Sequence, residues 1–253
     1  MSWSACNLAG KTALVIGGNS GIGRAAAEAL SNVGASVIIG YGHRESEAYA
    51  VSQQLQLVPG ASTAIVSCNV ADIDDVKSAL ATVHAKFGSV DIVVNAAGIT
   101  EFVPIMDLNA ITVDMWNRIL HTNVIGAWNV GQSARSYLQD SEVGNLVFVG
   151  SIAGLTPSGS SIPYAVSKAA LHHLAKLLAK AYSPRARVNV VAPGTIDTPW
   201  MEGHEEMIAA SRANALLKRA GQPSEVADAI LFLATTRYAT GSVLVVDGGL
   251  SLG

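Results

Sequence analysis

The chain has 253 residues, 50% of them hydrophobic and only 14% charged, with a formal net charge of -3. That length can bury a large core in one domain, and that composition excludes a disordered chain. The slight acidic balance gives no reason to expect a nucleic-acid partner. The two cysteines, Cys6 and Cys68, imply a reducing compartment without a disulfide framework. They read as a tail residue and a small buried hydrophobe. Neither has a Cys or His at metal-ligand spacing, so no metal is assigned. The N-terminal MSWSACNLAGK has neither the charged start nor the apolar run of a signal peptide. No segment approaches the roughly 20 apolar residues of a membrane span. A soluble, cytoplasmic protein is the expectation.

In chain order, the first apolar run is TALVIG (Thr12–Gly17). It leads into GGNSGIGRAAAEAL, where Gly17, Gly21 and Gly23 stand at the start of a helical pattern that Gly34 ends. Glycines permit a tight turn and close approach to a phosphate, and the helix start offers unpaired N–H groups and a positive dipole end. A strand, glycine turn and helix in succession predict a nucleotide site, with Gly17, Asn19, Ser20, Gly21, Ile22 and Gly23 as its contacts. The second run, SVIIG (Ser36–Gly40), continues into YGHRESEA. An acid at its end would bind a ribose 2′-OH and favour NAD. Tyr41 stands there instead, followed by His43 and Arg44, which suits a 2′-phosphate. NADP(H) is therefore favoured over NAD(H), the alternative being that His43 and Arg44 simply open a solvated helix.

Further runs follow at Thr63–Cys68, Asp91–Ala96, Asn145–Gly150, Arg187–Ala192 and Val243–Gly248. They are rich in Val and Ile and lack alternation, as parallel strands buried on both faces do. Helical patterns lie between them, such as Asp72–Gly88 with acids in its first turn and glycine at its end. This order predicts an α/β fold: one domain over 1–253, a doubly wound parallel sheet of seven strands with helices on both faces. The segment Pro199–Ala220 fits the rhythm poorly. It is helical in pattern, contains Trp200 and Met201, and follows a strand's C-terminal end. It reads as a substrate lid or as an ordinary surface helical hairpin.

The stretch SIPYAVSKAA (Ser161–Ala170) puts Tyr164 four residues before Lys168, on one helix face. A lysine there could lower the phenol from its free value of roughly 10 and let it exchange protons near neutrality. One such pair arises readily by chance and needs context.

The glycine turn and the Tyr-x-x-x-Lys pair together resemble the short-chain dehydrogenase/reductase family, from Lys11 to Gly249. Other marks of that family follow in order: NAAG (Asn95–Gly98), Asn123 in HTNVIGAW, Ser151 in VGSIAG, PGTIDT (Pro193–Thr198) and VDGG (Asp247–Gly249 with its preceding valine). The resemblance implies a Rossmann-like domain and a catalytic tetrad of Asn123, Ser151, Tyr164 and Lys168. Tyr164 would exchange the proton with the substrate oxygen. Lys168 would hold the nicotinamide ribose and stabilise the tyrosinate. Ser151 would orient the substrate oxygen. Asn123 would hold a relay water through its helix backbone. The resemblance further implies cofactor contacts from Asn95, Ala96 and Gly98, and from Pro193, Gly194, Ile196 and Thr198.

Two positions depart from the family pattern. Ile16 stands where a threonine commonly ties the glycine turn to the Asn-Ala-Gly segment. Asn69 replaces a common aspartate, and its amide oxygen, with Val70, remains an expected adenine contact. By position, GITEFVPI (Gly98–Ile105), Ile152, Ala153, Ile162, Pro163, Trp200 and Met201 should line the substrate pocket. They are mostly apolar, so a neutral ketone or secondary alcohol is the expected substrate, with a carrier-bound 3-oxoacyl thioester as a further option. An NAD-dependent alcohol dehydrogenase and a non-catalytic dinucleotide sensor are the alternatives. The resemblance also implies a homotetramer or homodimer, for which the apolar LHHLAKLLAKAY (Leu171–Tyr182) could supply a face, as could its packing in the core.

Overall fold

The computed structural model describes residues 7–252; Cys6 lies outside the described residues. Its seven strands are β1 (Thr12–Ile16), β2 (Ser36–Tyr41), β3 (Thr63–Ser67), β4 (Ile92–Asn95), β5 (Asn145–Val149), β6 (Arg187–Pro193) and β7 (Val243–Val246). All neighbours pair in parallel, in the order β3-β2-β1-β4-β5-β6-β7. The expected doubly wound sheet is therefore what forms.

The lack of alternation in the strands has a direct cause. Every residue of β1 is buried. Leu14 and Ile16 pack into one core, and Ala13 and Val15 into another on the opposite face. The period of two is present, but both sides face helices. The first core takes its helical residues from α3 (Ile73–Phe87), α5 (Gly126–Asp140) and α6 (Ile162–Tyr182). The second takes them from α1 (Gly21–Asn32), α2 (Glu45–Gln54) and α8 (Pro223–Thr235). Leu171, Ala175, Leu178, Ala179 and Tyr182 all belong to the first core, so core packing accounts for the apolar face of Leu171–Tyr182. The helix ends follow local chemistry. The Asp72 carboxylate accepts from the Asp74 and Asp75 N–H groups, and Gly88 ends α3 at φ 82°.

Strand order reverses between β1 and β4, which opens a crevice at their C-terminal ends. The segment 199–220 forms neither one long helix nor a helical hairpin. It is a 3₁₀ turn at Pro199–Met201 and one helix, α7 (Glu205–Asn214), because Gly203 at φ 79° breaks the run between them. The helix α4 (Val113–Leu120) passes into α5 through a π turn at His121–Ile125. The free thiol of Cys68 is buried, and burial pushes it up to about 12.

Candidate active site

The crevice is a cleft of about 910 Å³ that begins at the glycine turn. Gly17 adopts φ 75° and Gly21 φ 52°. A Cβ on Gly23 would lie 2.1 Å from the Gly17 carbonyl oxygen, and one on Gly17 would lie 3.0 Å from the Ala97 nitrogen. The turn thus closes on itself and on the end of β4 in a way that only glycine allows. Ser20 precedes α1 in an extended conformation without capping it, and no acid stands in the first turn. The helix start therefore keeps N–H groups for a phosphate, and the residues fit a dinucleotide.

Ser20 Oγ accepts from Arg44 Nη2 at 3.2 Å. Arg44 Nη1 pairs with Glu47 at 3.0 Å, and the same carboxylate takes Asn19 Nδ2 at 3.2 Å. Arg44 is thereby held against the glycine turn and lines the cleft, whereas the exposed His43 and the half-buried Tyr41 do not. Burial raises the Tyr41 phenol first, with Glu45 adding to the effect. Asn69 also lies off the wall. Its amide oxygen accepts from Ala71 N at 3.2 Å and its N–H donates to Asp75 at 2.6 Å. The oxygen expected to face adenine is thus engaged within its own turn. Val70 is buried, and its carbonyl accepts from Asn129. Asn95 sits beneath the wall, its oxygen accepting from Ala97 N at 3.1 Å, while Ala96 and Gly98 line the cleft. Ile16 is in the core, and backbone joins the two segments in place of a hydroxyl: Ala96 N–H donates to the Ile16 carbonyl at 2.9 Å.

Ser151, Tyr164 and Lys168 line the cleft where it passes over β5, and Asn123 lies buried behind that wall. Ser161 caps α6, its Oγ accepting from Tyr164 N at 3.4 Å, and Pro163 occupies the first turn. That start places Tyr164 in the first turn and Lys168 one turn later. Ser151, directly after β5, sets its hydroxyl beside the Tyr164 phenol, where it favours the phenolate, and its Oγ accepts from Ala153 N at 3.1 Å. Lys168 is buried, with Nζ donating to the Val149 carbonyl at 3.0 Å and lying 5.5 Å from the centre of the Tyr164 ring. Asn123 sits in the π turn, where the extra residue widens the helix. Its Nδ2 donates to the Ile99 carbonyl at 2.9 Å and to Ser167 Oγ at 3.0 Å, and its Oδ1 accepts from Ile99 N at 2.8 Å. Ser167 Oγ in turn donates to the Tyr164 carbonyl at 2.7 Å. Ser167 is the link that sequence reasoning missed; it faces Asn123 only because α6 packs on the π turn.

The protonation of this group differs from the expectation. Burial pushes the Tyr164 phenol up to about 12, and the nearby Ser151 hydroxyl offsets only part of that rise. Burial also lowers the Lys168 ammonium to about 8. Lys168 aims its charge at a carbonyl rather than at the phenol oxygen, so desolvation outweighs the expected acidifying effect.

Pro193, Gly194, Ile196 and Thr198 all line the cleft, as do Ile152, Ala153, Trp200 and Met201. Ile162 does not; it lies half-buried behind Tyr164 at the helix start. Of the expected run Gly98–Ile105, Gly98 and Phe102 line the cleft; Thr156, Ser158, Met207 and Ser211 join them on the substrate side and were not legible in the sequence, because turn and roof residues carry no motif. Arg44 and Lys168 are the charged residues of the wall. Two side-chain contacts fasten the roof over the cleft, and Arg219 adds a fork to Glu225 at its end. His204 stacks on Phe102 with ring centres 3.5 Å apart, and Thr195 Oγ1 donates to Ser211 Oγ at 2.8 Å.

Residues 16–251 match the family model described as enoyl-(acyl carrier protein) reductase. The chain belongs to the short-chain dehydrogenase/reductase family. It is 39% identical over 243 residues to ketoacyl reductase 2 of the granaticin polyketide synthase of Streptomyces violaceoruber, covering 95% of this chain and 96% of that one. It is 37% identical over 244 residues to carbonyl reductase family member 4 of Danio rerio, covering 96% and 98%. A crystal structure of a short chain dehydrogenase from Burkholderia cenocepacia in complex with NADP superposes with a TM-score of 0.88 at 33% identity, covering 96% of this chain and 99% of that one. The protein is thus a dehydrogenase/reductase acting between alcohol and carbonyl.

Proposed function

We propose that the protein is an NADPH-dependent reductase of a neutral, fairly apolar ketone, of the carbonyl-reductase or 3-oxoacyl-reductase kind. The observation that carries this reading is the convergence of Ser151, Tyr164 and Lys168, with Lys168 Nζ 5.5 Å from the Tyr164 ring, on the wall of a cleft whose substrate side has no other charged residue. The two relatives described as ketoacyl and carbonyl reductases support it.

The bound cofactor would supply the hydride. Its phosphates would rest on the glycine turn, its 2′-phosphate against Arg44, and its nicotinamide beside Ile196 and Thr198. Ser151 would hold the carbonyl oxygen, and Tyr164 would deliver its proton as negative charge develops there. A phenol held near 12 is protonated at neutral pH, which favours reduction over oxidation. Lys168 would return a proton to the tyrosinate, and the Asn123 turn would hold the water that resupplies it. The segment 199–220 would serve as the lid that excludes bulk water. In solution the protein would be a homotetramer.

A second reading, use of NAD, has one observation in its favour: the Glu47 carboxylate beside the glycine turn could accept a ribose hydroxyl. Parallel assays with NADPH and NADH on the N-acetylcysteamine thioester of acetoacetate and on simple ketones decide between the two. Faster turnover with NADPH, lost in Arg44→Ala, supports the proposal. Turnover confined to NADH moves the cofactor to the second reading, and no turnover on any carbonyl sinks both.

A further inference from the structure

Beneath the tetrad lies a buried histidine that the proposed chemistry leaves without a task. His172 stands one turn after Lys168 on α6 and is 4% exposed. Its ring fills the space under the loop that carries Ser151. A Cβ on Gly150 would lie 2.4 Å from His172 Nε2, and one on Gly154 would lie 2.9 Å from its Cε1. The two glycines flanking the Ser151 loop thus leave room for this ring. Nε2 faces the Ser151 backbone N–H at 3.5 Å, the outer limit of a hydrogen bond. Nδ1 is buried without a partner. Burial, with the charges of Lys168 and Lys176, holds the imidazole neutral, at about 4. A neutral ring accepting at Nε2 carries its proton on Nδ1. An unpaired buried donor is unfavourable, and an apolar side chain would fill the same space without it.

We propose that His172 is a positioning residue for Ser151. Its neutral Nε2 fixes the backbone N–H of Ser151, which orients the hydroxyl beside the Tyr164 phenol. The inference rests on the reading of Ser151 and Tyr164 as the reacting pair.

The test compares His172→Gln with His172→Met. The two side chains are close in length and shape, and only the amide retains an acceptor. Reduction of the N-acetylcysteamine thioester of acetoacetate would be followed together with NADPH affinity, read from tryptophan fluorescence, and with thermal unfolding. Loss of one hydrogen bond to a backbone donor predicts a fall in kcat of about five-fold in His172→Met. The NADPH affinity of that variant should be unchanged and its midpoint temperature equal or higher, since the orphaned donor is gone. His172→Gln should recover most of kcat. Equal kcat in the two variants overturns the inference. So does a loss of kcat that tracks a loss of stability, or a failure of both variants to fold, because each makes His172 a packing residue. Ser151→Ala, measured alongside, separates the two levels: if it keeps full kcat, the reading of the pair has failed rather than the role of His172.

Discussion

The two ends of the cleft are held together differently. At the glycine end, backbone geometry does the work: positive φ angles, approaches that exclude a Cβ, and strand ladders that register β1 on β4. At the roof end, side chains do it: the His204–Phe102 stack, the Thr195–Ser211 hydroxyl contact, and the Arg219 fork on Glu225 with N···O distances of 2.7 and 2.6 Å. No residue of α7 is buried, whereas α1 buries five. A site fixed by backbone suits a ligand common to a whole family. A roof fixed by a few exchangeable side chains can be refitted to a new substrate without disturbing the fold.

This contrast can be broken at its rigid end first. In Gly23→Ala the added methyl meets the Gly17 carbonyl at 2.1 Å, so the turn must open. NADPH affinity should fall at least about 100-fold, measured by fluorescence titration, because phosphate contacts depend on that backbone. Retained affinity would mean the phosphates bind elsewhere.

Between the two ends, the reacting group can be probed by pH. Lys168 has its folded value near 8, below its usual 10.5, so it loses its charge as pH rises through that region. Tyr164 stays protonated over the same range. The rate of carbonyl reduction should decline above pH 8 by about ten-fold towards pH 10 as Lys168 ceases to resupply protons. A rate that stays flat to pH 10 would remove Lys168 from proton delivery.

The roof should give the smallest effect. His204→Ala removes the stack on Phe102, and such pairs contribute about 0.5–1.5 kcal/mol. KM for the thioester should rise about three-fold to ten-fold with NADPH affinity unchanged. A parallel loss of NADPH affinity would show that the two ends are not independent.

The same contrast explains what the sequence made legible. Gly17, Gly21 and Gly23 were readable because a strand, a turn and a helix in succession admit little else. Tyr164 and Lys168 were readable because one helical turn fixes their spacing. Each strand was readable from Val and Ile density, although two-sided burial hid the alternation. The direction of the Tyr164 shift was not readable, since it depends on where Lys168 Nζ points and on how much water the loop excludes. Ser167 and His172 were missed for a related reason: each matters through a neighbour distant in sequence. Arg44 was readable, and so is its pairing with Glu47, since an arginine and an acid three apart at a helix start are a visible signal.

The central claim is that Tyr164 transfers the proton. It is tested most directly by Tyr164→Phe, with NADPH affinity and thioester reduction measured on the same preparation. Affinity should stay within about two-fold of the unmodified protein and turnover should fall by about 1,000-fold, within the range for loss of a general acid. Turnover within ten-fold of the unmodified protein, with NADPH bound, would contradict it and place the proton donor elsewhere in the cleft.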